Sequence, residues 1–161
     1  MKLINFNKVK LIVYDFDGVM TDNKAYVDQN GSEMVQVNRS DGLAINIIKS
    51  KGFDQIILSS ETNQVVNARA EKLNIQCIYG VENKRKQLQI FCEQRRYDLD
   101  SVLFIGNDIN DKEVMSVVGY PLCPNDAYKE IKEISCHVFM KNGGDGVIRE
   151  LLELIQNKEV K

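Results

Sequence analysis

Short apolar runs alternate along this chain with longer amphipathic stretches, and this alternation limits its possible folds more than any other feature. Runs that are apolar at nearly every position are typical of strands buried on both faces of a parallel sheet. Strands of this kind separated by helices favour a three-layer α/β sandwich with right-handed crossovers. The predicted strands are residues 9–14, 55–58, 76–79 and 101–105, with two weaker runs at 120–123 and 137–140.

Between the predicted strands, apolar residues recur at the spacing of one helix face. In the first of these segments Leu43, Ile47 and Ile48 share a face. Asp41 stands at the expected N-cap position of this helix, and Gly52 closes it. The other predicted faces are Val65, Val66, Ala70 and Leu73; Leu88 and Phe91; Val114, Val117 and Val118; and Val147, Leu151, Leu154 and Ile155.

Residues 24–39 break this rhythm, because polar and apolar residues alternate there on either side of Asn30-Gly31. An Asn-Gly pair flanked by strand-like residues is a strong β-hairpin signal. We expect the hairpin, about residues 23–38, to project as a flap or an assembly element. Its apolar side chains would be exposed in a monomer, and pairing between subunits would bury them, which predicts a homo-oligomer. These side chains are Tyr26, Val27, Met34 and Val37.

Length and composition narrow the class of protein. The 161 residues fit one domain, 1–161, that ends in a tail at about 141–161. The net charge of -2 disfavours nucleic acid as a partner, and no apolar stretch approaches the ~20 residues of a membrane span. A single His and four widely spaced cysteines argue against structural zinc and favour reduced thiols in a cytoplasmic protein. The cysteines are Cys77, Cys92, Cys123 and Cys136.

The most informative segment is D-F-D-G, which directly follows the first predicted strand and contains Asp15 and Asp17. Ligands of open α/β sheets bind at the carboxyl ends of the strands. Residues two apart on a strand point the same way, so both carboxylates can face one site. Crowded carboxylates are costly unless a cation joins them, and hard oxygen ligands suit Mg²⁺. The pattern therefore predicts a magnesium site rather than a solvated turn.

Polar residues after the later strands reach the same edge of the sheet. Ser59-Ser60-Glu61 would bring a hydroxyl and backbone N–H groups beside the acid pair. Lys84 opens the next helix, from which its ammonium could reach a phosphate as a point charge. The G-N-D-I-N-D segment, 106–111, adds further oxygen ligands. Each is compatible alone with a turn, surface or cap residue, but together and in this order they indicate a site.

These segments resemble the four motifs of the haloacid dehalogenase superfamily of phosphotransferases, and the resemblance covers nearly the whole chain. The missing large cap, the hairpin after the first motif and the G-G-D-G-V-I-R-E ending at 143–150 look like the small tetrameric phosphatases of 2-keto-3-deoxy sugar acids. That group includes the phosphatases of 3-deoxy-manno-octulosonate 8-phosphate (KDO 8-phosphate) and KDN 9-phosphate. It also includes the related domain of acylneuraminate cytidylyltransferases.

The resemblance implies a Rossmann-like fold, a homotetramer and a Mg²⁺-dependent phosphomonoesterase. In that family scheme Asp15 would attack phosphorus and become a phosphoaspartate. Asp17 would be the general acid for the leaving hydroxyl and then the base for water. Ser59 and Lys84 would bind the phosphoryl oxygens, and Asp111 would orient Lys84 or the waters on the metal.

The metal-binding set departs from the family pattern at one position. The family has Asp directly after the glycine of the last motif, as the third ligand beside Asp15 and the backbone carbonyl of Asp17. This chain has Asn107 there. An amide oxygen can still coordinate Mg²⁺ with less charge, and Asp108 next to it could replace it. We interpret the site as a working one, because the other motif residues are intact.

Substrate choice depends on residues beyond the phosphate. In the family the octulosonate enzymes usually carry Arg two residues after the motif-two hydroxyl and the nine-carbon enzymes carry Glu, which is Glu61 here. Arg69 and Lys72 match the basic pair that reaches a neighbouring subunit's substrate in the KDN enzymes. Arg149 lies in the segment that closes over a neighbour's site, and Ser60 is a further candidate contact. These features favour KDN 9-phosphate or N-acetylneuraminate 9-phosphate over KDO 8-phosphate, although an ordinary solvated helix face would also explain the charges.

Two other functions fit part of the pattern. The substitution at Asn107 is compatible with a module that has lost turnover and assembles with a cytidylyltransferase. A phosphorylation-switched receiver domain also has an acid pair after its first strand. A receiver needs a phosphorylatable Asp at the end of its third strand, however, and the run at 76–79 ends without one. Turnover of phosphorylated sugar acids separates the enzyme from the inactive module.

Overall fold

A computed structural model of the chain describes residues 3–159, and its centre is a six-stranded parallel sheet. The strand order is β5-β4-β1-β6-β7-β8, so the chain builds outward from β1 to one side and then returns to build the other. This reversal beside β1 creates the crevice at which open α/β sheets bind ligands. The strands are β1 (Leu11–Tyr14), β4 (Asp54–Leu58), β5 (Gln76–Ile78), β6 (Val102–Ile105), β7 (Tyr120–Cys123) and β8 (His137–Val138), while β2 (Ala25–Val27) and β3 (Glu33–Val35) form a separate hairpin.

Helices cover both faces of the sheet and bury two apolar clusters. Ile12 and Tyr14 of β1 belong to one cluster and Leu11 and Val13 to the other, as alternation along a strand requires. The predicted three-layer α/β sandwich is therefore confirmed. The helices are α1 (Arg39–Ser50), α2 (Val65–Leu73), α3 (Lys84–Arg95), α4 (Lys112–Met115), α5 (Lys129–Ile134) and α6 (Val147–Glu159), with 3₁₀ turns at Leu99–Ser101 and Ile109–Asp111.

The first helix begins earlier than the sequence pattern suggests. Its N-cap is Asn38, whose side chain accepts the N–H of Ser40, so the prediction of Asp41 as the cap is wrong. The buried face is also different, because Leu43 is 63% exposed whereas Ala44, Ile45 and Ile48 are buried. The earlier start follows from local capping chemistry, since Asn is as good a cap as Asp.

The hairpin stands apart from the main sheet. Its two strands pair antiparallel, with Tyr26 opposite Met34, and Gly31 adopts a φ of 80° in the turn. Tyr26, Val27 and Met34 are 75%, 64% and 67% exposed. Val37, which we also expected to be exposed, is instead half-buried against the core, because it lies at the base of the hairpin just before α1.

None of the helices in residues 3–159 combines the length and the apolar character that crossing a bilayer requires. All four cysteines of the chain are free thiols, and Cys92 and Cys123 are buried. Burial raises the pKa of the Cys92 thiol to about 11, so this side chain is a core residue rather than a reactive thiolate.

A buried carboxylate joins three helices at one corner of the fold. Asp41, in the first turn of α1, is 2% exposed, and its Oδ1 accepts the backbone N–H of Arg149 in α6 at 3.0 Å. Nη2 of Arg69 in α2 donates to the backbone oxygen of Asn38 at 3.0 Å. Burial raises the pKa of Asp41 to about 6, although the backbone N–H groups of α6 and the charge of Arg69 act to lower it.

The raised pKa predicts how Asp41 affects stability at different pH. Asp41 binds a proton more tightly in the folded protein than in the unfolded chain, where its pKa has the ordinary value of 3.8. The contribution of Asp41 to the free energy of unfolding is therefore largest below about pH 4 and is lost as pH rises through the folded pKa, a loss on the order of 2–3 kcal/mol. In urea unfolding, the free energy of unfolding of Asp41→Asn should rise relative to that of the wild type between about pH 4 and pH 7.

Asp28→Asn is the matched control for this pH series. Asp28 is exposed in the hairpin turn, and the backbone N–H groups of Ser32 and Asn30 lower its pKa. Its contribution is lost as pH falls, so the trend for this variant should have the opposite sign. If the difference in free energy of unfolding between wild type and Asp41→Asn stays constant with pH, the raised pKa of Asp41 is contradicted.

Candidate active site

The first motif places Asp15 at the carboxyl end of the central strand. The N–H of Asp15 donates to the backbone oxygen of Ile105 at 2.9 Å, which extends the pairing of β1 with β6 by one residue. Oδ1 of Asp15 accepts the N–H of Phe16 at 2.7 Å and lies 2.8 Å from Nζ of Lys84. One carboxylate oxygen is therefore fixed by two donors, while Oδ2 takes part in neither contact.

Lys84 lies buried between two carboxylates. Its Nζ is 2.8 Å from Asp15 and 2.7 Å from Oδ1 of Asp111, and the lysine is only 3% exposed. Asn83 caps the first turn of α3 and so fixes where the lysine starts. Burial lowers the pKa of Lys84, but the two carboxylates outweigh burial, so its pKa is raised and the side chain stays charged. Burial and the charge of Asp111 raise the pKa of Asp15, and Lys84 opposes them.

Asp111, predicted as a supporting residue, contacts two parts of the site. Its Oδ1 bonds Lys84, and its Oδ2 accepts the backbone N–H of Asn107 at 2.9 Å. Gly106 makes this packing possible, because a Cβ there would lie 2.6 Å from Oδ2 of Asp111. Asp111 therefore fixes both the lysine and the loop after β6.

A threonine that the sequence analysis did not single out holds the second acid. Oγ1 of Thr21, fully buried, donates to Oδ1 of Asp17 at 3.2 Å. The same oxygen accepts the N–H groups of Gly18 and Asn23, both at 3.2 Å. Burial raises the pKa of Asp17 from its ordinary value, which favours a proton on this carboxyl. The signal available in the sequence was a hydroxyl residue, Thr21, only four residues after Asp17.

Asn107 faces Asp15 and Asp17, which were predicted to bind the metal with it. The near end of its amide lies 2.9 Å from the backbone oxygen of Asp17 and 3.3 Å from Oδ2 of Asp15. With the amide nitrogen at this end, the side chain donates to both oxygens; with the amide oxygen there, three oxygen atoms converge. Gly18, with a φ of 79°, allows this approach, since a Cβ there would lie 1.9 Å from the Asn107 amide.

This donor set fits a hard divalent cation. Carboxylate, backbone carbonyl and amide oxygens are the ligands that Mg²⁺ takes in proteins. Within residues 3–159 no three His, Cys, Asp or Glu side chains cluster as a metal site, because two of the three oxygens here belong to a backbone carbonyl and an amide. Asp108, the alternative ligand, is exposed, and its carboxylate instead caps the 3₁₀ turn by accepting the N–H of Ile109 at 2.7 Å.

The remaining motif-two residues line an open cavity of about 470 Å³ above this centre. Ser59 is buried, and its Oγ accepts the N–H of Glu61 at 3.1 Å. Oε1 of Glu61 accepts the N–H groups of Thr62 and Asn63, both at 2.7 Å, so the carboxylate stabilises its own loop. The cavity is lined by Asp15, Asp17, Asn23, Ser59, Ser60, Glu61, Thr62, Asn107, Asp108 and Asn110.

The three basic residues that were predicted to bind substrate lie outside the lining of this cavity. Arg69 is tied within its own protomer to the backbone of Asn38. Lys72 is exposed on α2. Nε of Arg149 lies 3.7 Å from Glu153, in a groove along α6. Sequence spacing could not reveal that Asp41 is buried near both arginines, where it interacts with the backbone N–H of Arg149 and with the charge of Arg69.

The arrangement suits nucleophilic displacement at a phosphorus atom. One carboxylate, Asp15, is held by a buried cation and faces a position where a metal can neutralise charge. A second carboxyl, Asp17, is biased toward its protonated form beside it. The two carboxyls differ in their contacts, since Lys84 holds Asp15 and Thr21 holds Asp17, which suits attack by the first and proton transfer by the second.

Comparison with known proteins agrees with this geometry. Residues 49–151 match the model of the haloacid dehalogenase-like hydrolase family. The chain is 28% identical over 148 residues to the 3-deoxy-D-manno-octulosonate 8-phosphate phosphatase of Yersinia pestis, covering 91% of this chain and 79% of that protein. The enzyme of the same name from Escherichia coli K12 matches over the same length with the same identity.

Solved structures match over nearly the whole chain. A HAD family hydrolase from Streptomyces avermitilis superposes with a TM-score of 0.90 and 37% identity, covering 93% of this chain and 86% of that one. The KDO 8-phosphate phosphatase of Moraxella catarrhalis, solved with magnesium, phosphate and KDO, gives a TM-score of 0.90 and 25% identity over 94% and 88% of the two chains. The family match, the relatives and the site together show that the chain belongs to the haloacid dehalogenase-like hydrolases and is a phosphatase.

Proposed function

We propose that the chain is a Mg²⁺-dependent phosphomonoesterase that hydrolyses a phosphorylated 2-keto-3-deoxy sugar acid. The observation that carries the proposal is the buried Asp15–Lys84–Asp111 arrangement facing the oxygens of Asp17 and Asn107. The octulosonate phosphatases among the relatives and the Moraxella complex with magnesium, phosphate and KDO support both the cation and the substrate class. The free thiols support a cytoplasmic location.

In the first step a carboxylate oxygen of Asp15 attacks phosphorus. A bond forms between this oxygen and phosphorus, the bond from phosphorus to the sugar oxygen breaks, and Asp17 gives its proton to the departing oxygen. Lys84 and the Ser59 hydroxyl bind the phosphoryl oxygens as charge builds on them. Asp15, Asp17 and Asn107 would hold the magnesium ion, which when bound neutralises negative charge on the phosphoryl group.

In the second step the phosphoaspartate is hydrolysed. Asp17, now ionised, removes a proton from water as the water oxygen bonds to phosphorus. The Asp15–phosphorus bond breaks, which restores the carboxylate and releases inorganic phosphate. Thr21 holds Asp17 in place for both proton transfers through its 3.2 Å hydrogen bond.

Three substrates within this class have specific support, two with nine carbons and one octulosonate. Glu61 lines the cavity at the position where the nine-carbon enzymes carry Glu, which favours KDN 9-phosphate or N-acetylneuraminate 9-phosphate. The names of the relatives favour KDO 8-phosphate as the second candidate. Ser60 lines the cavity and would contact the substrate there. Lys72, with Arg69 and Arg149, would contribute from a neighbouring subunit.

Phosphate release from the three sugar-acid phosphates tests the substrate. We expect Mg²⁺-dependent turnover with a higher kcat/KM for the nine-carbon substrates. Asp15→Asn should lower kcat by about 10³-fold or more, because the amide cannot form the phosphoenzyme. Preference for KDO 8-phosphate would keep the mechanism and reject the reasoning from Glu61. Failure with all three would reject the substrate class and favour an assembly module that serves a cytidylyltransferase.

Magnesium affinity tests which residue is the third ligand. Asn107→Asp adds a negative charge at the converging oxygens and should tighten Mg²⁺ binding several-fold by isothermal titration calorimetry. Asp108→Asn is the matched control: Asn caps a helical turn as well as Asp, so affinity should stay within about twofold. Weaker binding in Asp108→Asn, with no change in Asn107→Asp, would assign the ligand to Asp108.

Light scattering tests the assembly. Three exposed apolar side chains on one small hairpin leave a surface that subunit pairing would bury, so we expect a mass of about four times 18.4 kDa. Met34→Asp should shift the population to smaller species, whereas Ile90→Asp, on the outer part of α3, should not. A wild-type monomer would reject the tetramer.

A further inference from the structure

Asn23 has an unusual backbone conformation beside the active site. Three non-glycine residues between positions 3 and 159 adopt a left-handed φ: Asn23 at 63°, Asn74 at 52° and Arg96 at 60°. Asn74 and Arg96 are the C-caps of α2 and α3, where a left-handed residue ends the helix. Asn23 ends no helix; it lies between the first motif and the hairpin. Such a conformation is less favourable for a residue with a Cβ than for glycine, so the side chain at this position calls for an explanation.

The backbone of Asn23 is tied directly to the catalytic loop. Its N–H donates to Oγ1 of Thr21, the same oxygen that donates to Asp17. The conformation of Asn23 therefore depends on the group that positions the proposed proton donor. Glycine would meet this backbone requirement at lower cost.

Asn23 is an exposed residue at two cavities that share part of their lining. It lines the catalytic cavity and also a second cavity of about 260 Å³ between the hairpin and the start of α2. Asp17 and Glu61 line both cavities as well. Lys24 and Glu33 from the hairpin and Val65 from α2 form the other walls of the second cavity.

This second cavity lies on the leaving-group side of the reaction. The phosphoryl group must contact Asp15 and Lys84, whereas the proton donor Asp17 lines the second cavity and must contact the departing oxygen. The part of the substrate attached to that oxygen therefore extends toward the hairpin. This step rests on the proposed function.

We propose that Asn23 is a specificity-determining residue that binds hydroxyl groups of the leaving group in this second cavity. A primary amide both donates and accepts hydrogen bonds, and the carboxylates of Glu33 and Glu61 accept them, which matches a chain rich in O–H groups. The carboxylates of Asp17, Glu33 and Glu61 outnumber the single cation of Lys24 in this lining, which disfavours a negative group next to the phosphate. A sugar-acid phosphate with its hydroxylated chain beside the phosphate and its carboxylate at the far end fits this lining.

Asn23→Gly separates this role from a structural one. Glycine relieves the left-handed strain, so the melting temperature should not fall. The variant should nevertheless lose a hydrogen bond to the substrate. We expect kcat/KM for the better sugar-acid phosphate, and for sorbitol 6-phosphate, to fall about tenfold relative to kcat/KM for p-nitrophenyl phosphate, whose leaving group has no such chain.

Asn74→Gly is the matched control, because it makes the same change at a left-handed residue that lies outside both cavities. Asn74→Gly should leave the ratio of kcat/KM values between these substrates unchanged. The proposal would be overturned if Asn23→Gly left the ratio of kcat/KM values between the hydroxylated substrates and p-nitrophenyl phosphate unchanged, which includes equal losses on all substrates. Wild-type failure on sugar acids would reject the proposed substrate class alone, since the ratio of sorbitol 6-phosphate to p-nitrophenyl phosphate still tests Asn23.

Discussion

The buried ammonium of Lys84 is the interaction on which the rest of the site depends. Asp15 follows the central strand, Lys84 starts α3, and Asp111 ends the turn after β6, so one charge joins three segments that are distant in sequence. Two buried carboxylates without this cation would be unstable, since an uncompensated buried charge costs about 3–5 kcal/mol. The lysine also holds one oxygen of Asp15 and thereby fixes the orientation of the carboxylate. Stability and catalysis thus use the same contact.

Close approaches of backbone complete what the charges begin. Gly18 lets the Asn107 amide reach the first motif, and Gly143 lies against that motif from the opposite direction, where a Cβ would be 2.2 Å from the backbone oxygen of Gly18. Gly144 adds a hydrogen bond from its N–H to the oxygen of Val19 at 3.1 Å. The loop before α6 therefore supports the loop that holds Asp17. Asp41 accepts the N–H of Arg149 in the first turn of α6 and so holds the start of the helix that follows this loop.

The sequence predicts the parts of this arrangement that are encoded locally. Apolar runs identified the strands, and because parallel strands end at one edge, Asp15, Ser59 and Lys84 were expected together. Residues whose partners are remote in sequence were predicted less well. Asp41 looked like a cap because its position resembles one, yet Asn38 competes successfully for that role. Arg69 stays a predicted substrate ligand, but the sequence did not show that the buried carboxylate of Asp41, from another helix, lies near it.

Chemistry and selectivity occupy different parts of the molecule. The groups proposed to act on phosphorus are buried at the ends of central strands, where packing fixes them to the accuracy that phosphoryl transfer requires. The groups proposed to meet the leaving group, Asn23 and Glu33, are exposed at the base and on the edge of a small hairpin. Substitutions there change few core contacts, so substrate choice can vary while the Asp15–Lys84–Asp111 centre stays constant. The strained backbone of Asn23 is the point at which the two parts meet, because Thr21 bonds both that backbone and Asp17.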